Sequence, residues 1–79
     1  MDGVGIMIYT DGAIYEGNWK NGFRSGFGRM FHANGSRYIG EWNEDKASGF
    51  GTFTNSENGY TYEGNWLEDN QNGKGKETW

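Results

Sequence analysis

The side chains that could support catalysis are few and have no catalytic spacing. His32 is the single histidine, and no serine has a base at the fixed spacing that an activated nucleophile needs. Gly3-Val4-Gly5 resembles the start of a dinucleotide-binding fingerprint, but no third glycine or helical segment follows. Asp69-Asn70-Gln71-Asn72-Gly73 resembles a calcium loop without its distal glutamate. We therefore expect no enzyme activity, no cofactor and no metal site.

The composition indicates a small, aromatic-rich domain. The 79 residues include 15 glycines and no cysteine, which excludes disulfides and cysteine-based zinc sites. Hydrophobic residues make up only 33%, yet aromatic residues reach 18%, whereas disordered chains are poor in aromatics. The net charge of −4 disfavours nucleic acid as a partner, because binding it requires clustered Lys and Arg. The basic residues, Lys20 and Arg24 among them, are scattered, and we expect them to be solvated.

No signal peptide or transmembrane segment is predicted. Residues 1–10 contain no basic stretch followed by an apolar run. No apolar run approaches the roughly 18 residues of a spanning helix. We expect a cytoplasmic location, with the periphery of a membrane or of the cytoskeleton as alternatives.

A repeat of 23 or 24 residues organises the chain. Tyr-x-Gly-x-Trp occurs at 15–19, 38–42 and 62–66, and a Gly-x-Gly pair follows each at 26–28, 49–51 and 73–75. A further pair lies at 3–5. We expect one domain over 1–79, with a partial repeat at 1–14 and repeats at 15–37, 38–61 and 62–79, the last one incomplete.

Turn residues between the repeated segments predict short strands joined as hairpins. Asp11-Gly12, Asn34-Gly35 and Asn58-Gly59 predict type I′ turns, whose two central residues both have positive φ. Asn21-Gly22 repeats this signal on the other side of the repeat, and Asp45-Lys46 and Asp69-Asn70 are weaker versions. No segment has a helical spacing of apolar residues. The expected fold is all-β, an elongated single-layer twisted antiparallel meander with about seven strands near 4–9, 13–19, 27–32, 36–42, 50–55, 60–66 and 74–79.

The two-residue period of a strand assigns the side chains to two faces. The Tyr, Gly and Trp of each Tyr-x-Gly-x-Trp segment share a face with the glycines of Gly-x-Gly, and we expect each glycine to clear space for a ring. The opposite face, which holds Glu16, Glu41 and Glu63, is expected to be solvated. The glycines with an expected structural role are Gly17, Gly26, Gly28, Gly40, Gly49, Gly51, Gly64, Gly73 and Gly75.

The aromatic stripe is the candidate partner-binding surface. A single layer has no second layer to cover it, so part of the stripe should stay exposed, and exposed apolar patches usually mark partner sites. The six residues of this stripe are Tyr15, Trp19, Tyr38, Trp42, Tyr62 and Trp66.

The pattern closely resembles the MORN repeat (membrane occupation and recognition nexus), a unit of about 23 residues that reads Tyr-x-Gly-x-Trp-x-x-Gly-x-x-x-Gly-x-Gly. Residues 15–28 fit every fixed position, and the later units differ by Asp45 and Asp69 in place of a glycine. Asp tolerates left-handed turns, so we expect these two replacements of glycine to have little effect on the fold. The resemblance covers essentially the whole chain. It implies an elongated β-meander used for interaction or scaffolding, often as the targeting part of a larger protein.

Three functions stay open at this point. The leading hypothesis is a non-enzymatic interaction module that binds a partner helix or peptide along the aromatic face. The alternatives are a phospholipid-binding, membrane-targeting module and the non-catalytic repeat region of a larger enzyme. Binding of anionic phospholipid needs an excess of basic residues and weakens with salt, whereas an aromatic groove tolerates salt. We also expect self-association at the N-terminal edge strand, because Val4, Ile6 and Ile8 offer no charge against edge pairing.

Overall fold

A computed structural model describes residues 2–79 as one antiparallel sheet. Its strands follow one another in chain order, each hydrogen-bonded to the next, which confirms the predicted all-β meander. The sheet measures 36 × 26 × 15 Å. No helix in the described range is long and apolar enough to cross a membrane. The seven strands are β1 (Gly3–Ile8), β2 (Ile14–Lys20), β3 (Phe23–Phe31), β4 (Arg37–Asn43), β5 (Lys46–Thr54), β6 (Thr61–Leu67) and β7 (Asn70–Thr78).

Three strands begin four residues earlier than the sequence predicts. The predicted starts are 27, 50 and 74, but β3, β5 and β7 begin at Phe23, Lys46 and Asn70, directly after two-residue turns. The segments that the prediction omits contain no β-branched residue, so they carry little strand signal. Pairing with the preceding strand nevertheless makes them strands.

A β-bulge interrupts the register in the middle of each repeat. Gly17 pairs with Gly28 and Trp19 pairs with Arg24, so Asn18 alone faces three residues of β3. The same shift recurs between β4 and β5 and between β6 and β7. The first glycine of each following Gly-x-Gly pair has a positive φ there, which only glycine adopts easily. These φ values are 79° at Gly26, 100° at Gly49 and 73° at Gly73.

Polar side chains replace some of the ladder hydrogen bonds lost at the bulges. Asn18 Nδ2 donates to the carbonyl oxygen of Phe27 at 2.9 Å. Glu41 Oε2 accepts a hydrogen bond from the Phe50 N–H at 2.7 Å. The expectation that Glu41 is only a solvated surface residue is therefore incomplete, because its carboxylate is part of the backbone connection.

The hairpin turns are of two kinds, and the type I′ prediction is correct for one of them. Asn21 and Gly22 both have positive φ, 54° and 82°. In the later repeats the turn residues are Glu44-Asp45 and Glu68-Asp69, one position before the predicted pairs. These turns are closed by the strand pairs on either side of them, such as Asn43 with Lys46.

At the opposite end of the sheet the type I′ prediction is wrong. Gly12, Gly35 and Gly59 have positive φ, but the Asp or Asn before each does not. That side chain instead accepts a hydrogen bond from the backbone N–H two residues later, at 2.9 Å in all three turns, which is an Asx turn.

Candidate binding site on the aromatic face

The six rings of the aromatic stripe form one continuous ladder. Neighbouring rings meet edge to face with centroids 5.1 to 5.4 Å apart and interplanar angles of 80° to 89°. This geometry matches the positive edge of one ring to the negative face of the next. The order along the ladder is Trp19, Tyr15, Trp42, Tyr38, Trp66 and Tyr62.

A row of glycines lies beneath the tyrosines. It crosses all seven strands in register, in the order Gly5, Gly17, Gly28, Gly40, Gly51, Gly64 and Gly75. The ring of Tyr15 lies over Gly28, where a methyl group would be 2.6 Å from Cε1 of that ring and closer still to its hydroxyl. Gly51 and Tyr38 have the same relation. The glycines at these positions allow close contact between ring and backbone.

Hydrogen bonds fix both kinds of ring. Each tyrosine hydroxyl donates to the carbonyl of the bulge residue three positions later, at 2.9 Å for Tyr15 and 3.1 Å for Tyr38 and Tyr62. The indole N–H groups of Trp19, Trp42 and Trp66 donate to glycine carbonyls of the glycine row at 3.1 to 3.2 Å. Among the described residues, no buried side-chain N or O lacks a hydrogen-bond partner.

The ladder is more deeply buried than a single layer suggests. Tyr15 is fully buried, and Trp42 and Tyr62 are 7% and 3% exposed. Trp66 alone among the six rings is half-buried, so the part of the stripe that stays exposed is limited to this ring. Burial raises the pKa of Tyr15 and of Tyr38 from 10.0 to about 12, because the ionised phenolate would lose its hydration.

Arg24 and Asp45 connect the first two full repeats. The Asp45 N–H donates to the Arg24 carbonyl at 3.0 Å, and its carboxylate accepts from the N–H and the Nε of Arg24 at 2.7 and 3.2 Å. Nη2 of Arg24 donates to the Asp45 carbonyl at 2.8 Å, and the guanidinium lies 4.8 Å from the ring centroid of Trp42. The prediction that Arg24 is solvated is therefore wrong, since its side chain is 19% exposed.

Asp69 repeats part of this connection one repeat later. Its N–H donates to the Ala47 carbonyl at 3.0 Å, and its carboxylate accepts from the Ala47 N–H at 2.7 Å. Asp45 and Asp69 both have φ of 70°, so they tolerate the left-handed turn as expected. Their carboxylates also bind the preceding repeat, an effect that the sequence analysis does not anticipate. Residues 69–73 belong to a hairpin turn and the beginning of β7.

A cleft of about 530 Å³ opens on the aromatic face above Ala47. Carboxylates from two turns and the ring of Trp66 border it, and His32 lies exposed at its rim. The lining residues come from different repeats. The sequence repeat assigns each residue to a column, but it does not show that these columns meet in one cleft. The lining residues are Arg24, Met30, His32, Tyr38, Trp42, Asp45, Ala47, Phe53, Tyr60, Trp66, Asp69 and Gln71.

The opposite face of the sheet, called the outer face here, carries exposed apolar side chains that the sequence analysis overlooks. Phe27 and Phe50 are the middle residues of Gly-x-Gly pairs and are 55% and 54% exposed. Ile8, Ile14 and Phe31 pair side by side across β1, β2 and β3 and are also exposed. Strand parity alone places these apolar side chains on the outer face, beside the polar residues expected there.

The glycine row, the bulge and the Tyr–Trp ladder recur with the period of the sequence repeat. The MORN repeat model matches residues 1–14, 15–37, 38–59 and 62–79. The chain belongs to the MORN repeat family. A comparison with curated proteins finds no match. MORN repeats are a non-catalytic module that generally serves interaction or membrane association.

Proposed function

We propose that this MORN chain is a non-enzymatic interaction module that binds a helix or an extended segment of a protein partner in the cleft on its aromatic face. The rings and carboxylates from different repeats that line this cleft carry the proposal. Its volume of about 530 Å³ lies within the 300–1,000 Å³ typical of binding sites. A depression on the outer face, lined by Phe27 and Phe50, has a similar volume of about 540 Å³, so the lining and not the volume favours the aromatic face.

The rigidity of the cleft supports this function. Trp42 and Trp66 are held by hydrogen bonds to glycine carbonyls, and the Tyr38 hydroxyl is held by the carbonyl of Glu41. Rings that are already fixed lose little conformational entropy when a partner binds. Aromatic side chains are also the residues most enriched at the energetic centres of interfaces.

The charge distribution favours a protein segment over an anionic phospholipid. The cleft contains the carboxylates of Asp45 and Asp69, and Arg24 is engaged with Asp45. The whole chain has a net charge of −4. An anionic headgroup would meet repulsion here, because binding to an anionic membrane surface depends on clustered Lys and Arg.

A pair of matched variants tests the cleft. Tyr60→Ser removes a ring from the cleft and installs the residue that the preceding repeat has in the same column, Ser36. Phe50→Ser makes the same kind of change on the outer face. Partners captured from a lysate are titrated by calorimetry against both variants and Lys20→Glu. We expect Tyr60→Ser to weaken binding about tenfold or more and the other two to bind as the parent chain.

Two results would contradict the proposal. Loss of binding in Phe50→Ser alone would place the partner on the outer face. Binding to vesicles of anionic phospholipid that weakens steeply with salt and disappears in Lys20→Glu would favour the membrane-targeting alternative.

The outer edge of β1 supports a second proposal, self-association. β1 is the first strand of the sheet, and Val4, Ile6 and Ile8 are 78%, 60% and 71% exposed. An uncharged edge strand is a template for pairing with another copy, and a lysine in it discourages such pairing. We expect Ile6→Lys to lower the sedimentation coefficient at high concentration, with Phe27→Lys as the outer-face control. Identical sedimentation of Ile6→Lys and the parent chain would exclude this contact.

A further inference from the structure

Three residues occupy one column of the repeat on the aromatic face. Arg24, Ala47 and Gln71 each pair with the tryptophan of their own repeat, Trp19, Trp42 and Trp66 respectively. The column is occupied by a cation in the first full repeat and by a methyl group in the second.

The first full repeat shows what this column can hold. The guanidinium of Arg24 lies 4.8 Å from the centroid of Trp42 and 5.7 and 5.9 Å from the centroids of Tyr9 and Tyr15. Its Nε donates to the Asp45 carboxylate and its Nη2 to the Asp45 carbonyl. The chain thus contains an arginine bound by three rings, one carboxylate and one backbone oxygen.

The second full repeat has equivalent residues at these four positions without the arginine, and it differs by Phe53, whose ring centroid lies 6.4 Å from that of Trp66, in place of Met30. The residues equivalent to Tyr9, Tyr15, Trp42 and Asp45 are His32, Tyr38, Trp66 and Asp69, and all four line the cleft together with Ala47. We call these five residues the Ala47 site. The backbone connection is also the same, since the Ala47 N–H donates to the Asp69 carboxylate at 2.7 Å as the Arg24 N–H does to Asp45.

The short side chain of Ala47 leaves the ring of Trp66 accessible. Trp66 is half-buried and Asp69 exposed, whereas Trp42, beneath Arg24, is 7% exposed. Position near the C-terminal end does not account for this exposure, because Tyr62 on the same strand is 3% exposed. Gln71 does not supply a cation, and its Nε2 donates to the hydroxyl of Tyr60.

We propose that the Ala47 site binds the guanidinium group of an arginine in the partner segment, stacked on Trp66 and hydrogen-bonded to Asp69. This inference rests on the proposed function and specifies the chemistry of the partner. Aromatic faces attract cations, and a planar guanidinium donates to a carboxylate and a carbonyl at once, as Arg24 does. A lysine ammonium has no such planar fork, so we expect arginine to be preferred.

A small-molecule titration tests the site without any partner. The probe is N-acetyl-arginine methylamide, added to ¹⁵N-labelled protein, and the readout is the NMR signal of the Trp66 indole N–H. We expect a saturable shift with roughly millimolar affinity, which is a realistic scale for a single side chain. The citrulline analogue has the same shape without the charge and should bind about tenfold more weakly or not at all.

Two variants separate charge from shape. Asp69→Asn keeps an oxygen that can accept from the Ala47 N–H and removes the carboxylate charge, so it should weaken the arginine probe about tenfold. Ala47→Arg places the chain's own guanidinium in the site, so it should eliminate the probe-induced shift with no loss in melting temperature. Should Ala47→Arg fail to fold, Asp69→Asn and the citrulline analogue still decide the matter.

Equal shifts with the arginine and citrulline probes, or an unchanged affinity in Asp69→Asn, would overturn the inference. The proposed function is tested separately. A captured partner whose binding is weakened by Tyr60→Ser but not by Asp69→Asn would uphold the interaction module and exclude arginine recognition. A partner that loses binding in both variants, and also when its own arginine is replaced by citrulline, would support both.

Discussion

Tyr38 and Phe50 are large aromatic residues on adjacent strands, but they are 4% and 54% exposed. Tyr38 lies on the aromatic face, where Gly51 leaves space for its ring and Trp42 and Trp66 pack edge to face against it. Phe50 lies on the outer face, beside Gly51 in sequence. The difference shows that aromatic content alone does not bury a face of a single sheet. Burial requires glycines beneath the rings and rings from neighbouring repeats beside them.

The largest expected effect comes from placing a methyl group beneath the ladder. Gly51→Ala puts Cβ 2.6 Å from Cε1 of Tyr38, a ring that is fixed by its hydrogen bond to Glu41. We expect a loss of about 3 kcal/mol in unfolding free energy, measured by chemical denaturation. Gly22→Ala is the control. Its added Cβ would have no neighbouring atom within 4 Å, and the φ of +82° at Gly22 disfavours any side chain. This variant therefore measures a conformational cost alone, of about 1–2 kcal/mol. Gly51 has no positive φ, so the loss at this position contains no such conformational cost, and an unchanged unfolding free energy in Gly51→Ala would show that the ring contact is unimportant.

A smaller loss should follow from cutting the connection between repeats. Asp45→Gly introduces the glycine that MORN repeats usually have at this position. Glycine adopts the φ of 70° more easily than Asp does, so the effect on the turn alone would raise the stability. The substitution also removes the carboxylate that accepts from the N–H and Nε of Arg24. We expect the loss of these contacts to outweigh the gain at the turn, so that the unfolding free energy falls by about 1 kcal/mol. A gain in stability would mean that the carboxylate contacts with Arg24 contribute less than the relief of the left-handed turn.

Alkaline pH should destabilise the aromatic face selectively. Burial raises the pKa of Tyr15 and Tyr38 from 10.0 to about 12, so the folded state holds these protons more tightly than the unfolded state. Their contribution to stability is complete below pH 10 and is lost as the pH rises through the window from 10 to about 12. Denaturation at a series of pH values should show this decline. Tyr38→Phe should decline less steeply, and an identical slope would contradict the assignment.

The sequence predicts the ladder better than it predicts the cleft. Strand parity places Tyr38 and Gly51 on one face, and their contact requires only the register of two adjacent strands. The contact of Arg24 with Asp45 depends on a turn that lies one residue from its predicted position. The same turn-and-bulge geometry positions Asp69 beside Ala47. The repeat predicts which positions are equivalent. The contacts between side chains of different repeats depend on the geometry of the local bulges, which the sequence does not predict.

The smallest expected effect concerns the outer face. Phe50→Ser removes a ring that is 54% exposed and is not part of the aromatic ladder. The unfolding free energy should therefore change by no more than about 0.5 kcal/mol, as for most surface substitutions. The hydrogen bond from the Phe50 N–H to Glu41 involves only the backbone of residue 50 and is retained in the variant. Thermal and chemical denaturation of Phe50→Ser beside Gly51→Ala measure this contrast at neighbouring positions. A loss near that of Gly51→Ala would mean that the outer face is also covered in solution, and sedimentation velocity would then show whether a second copy covers it.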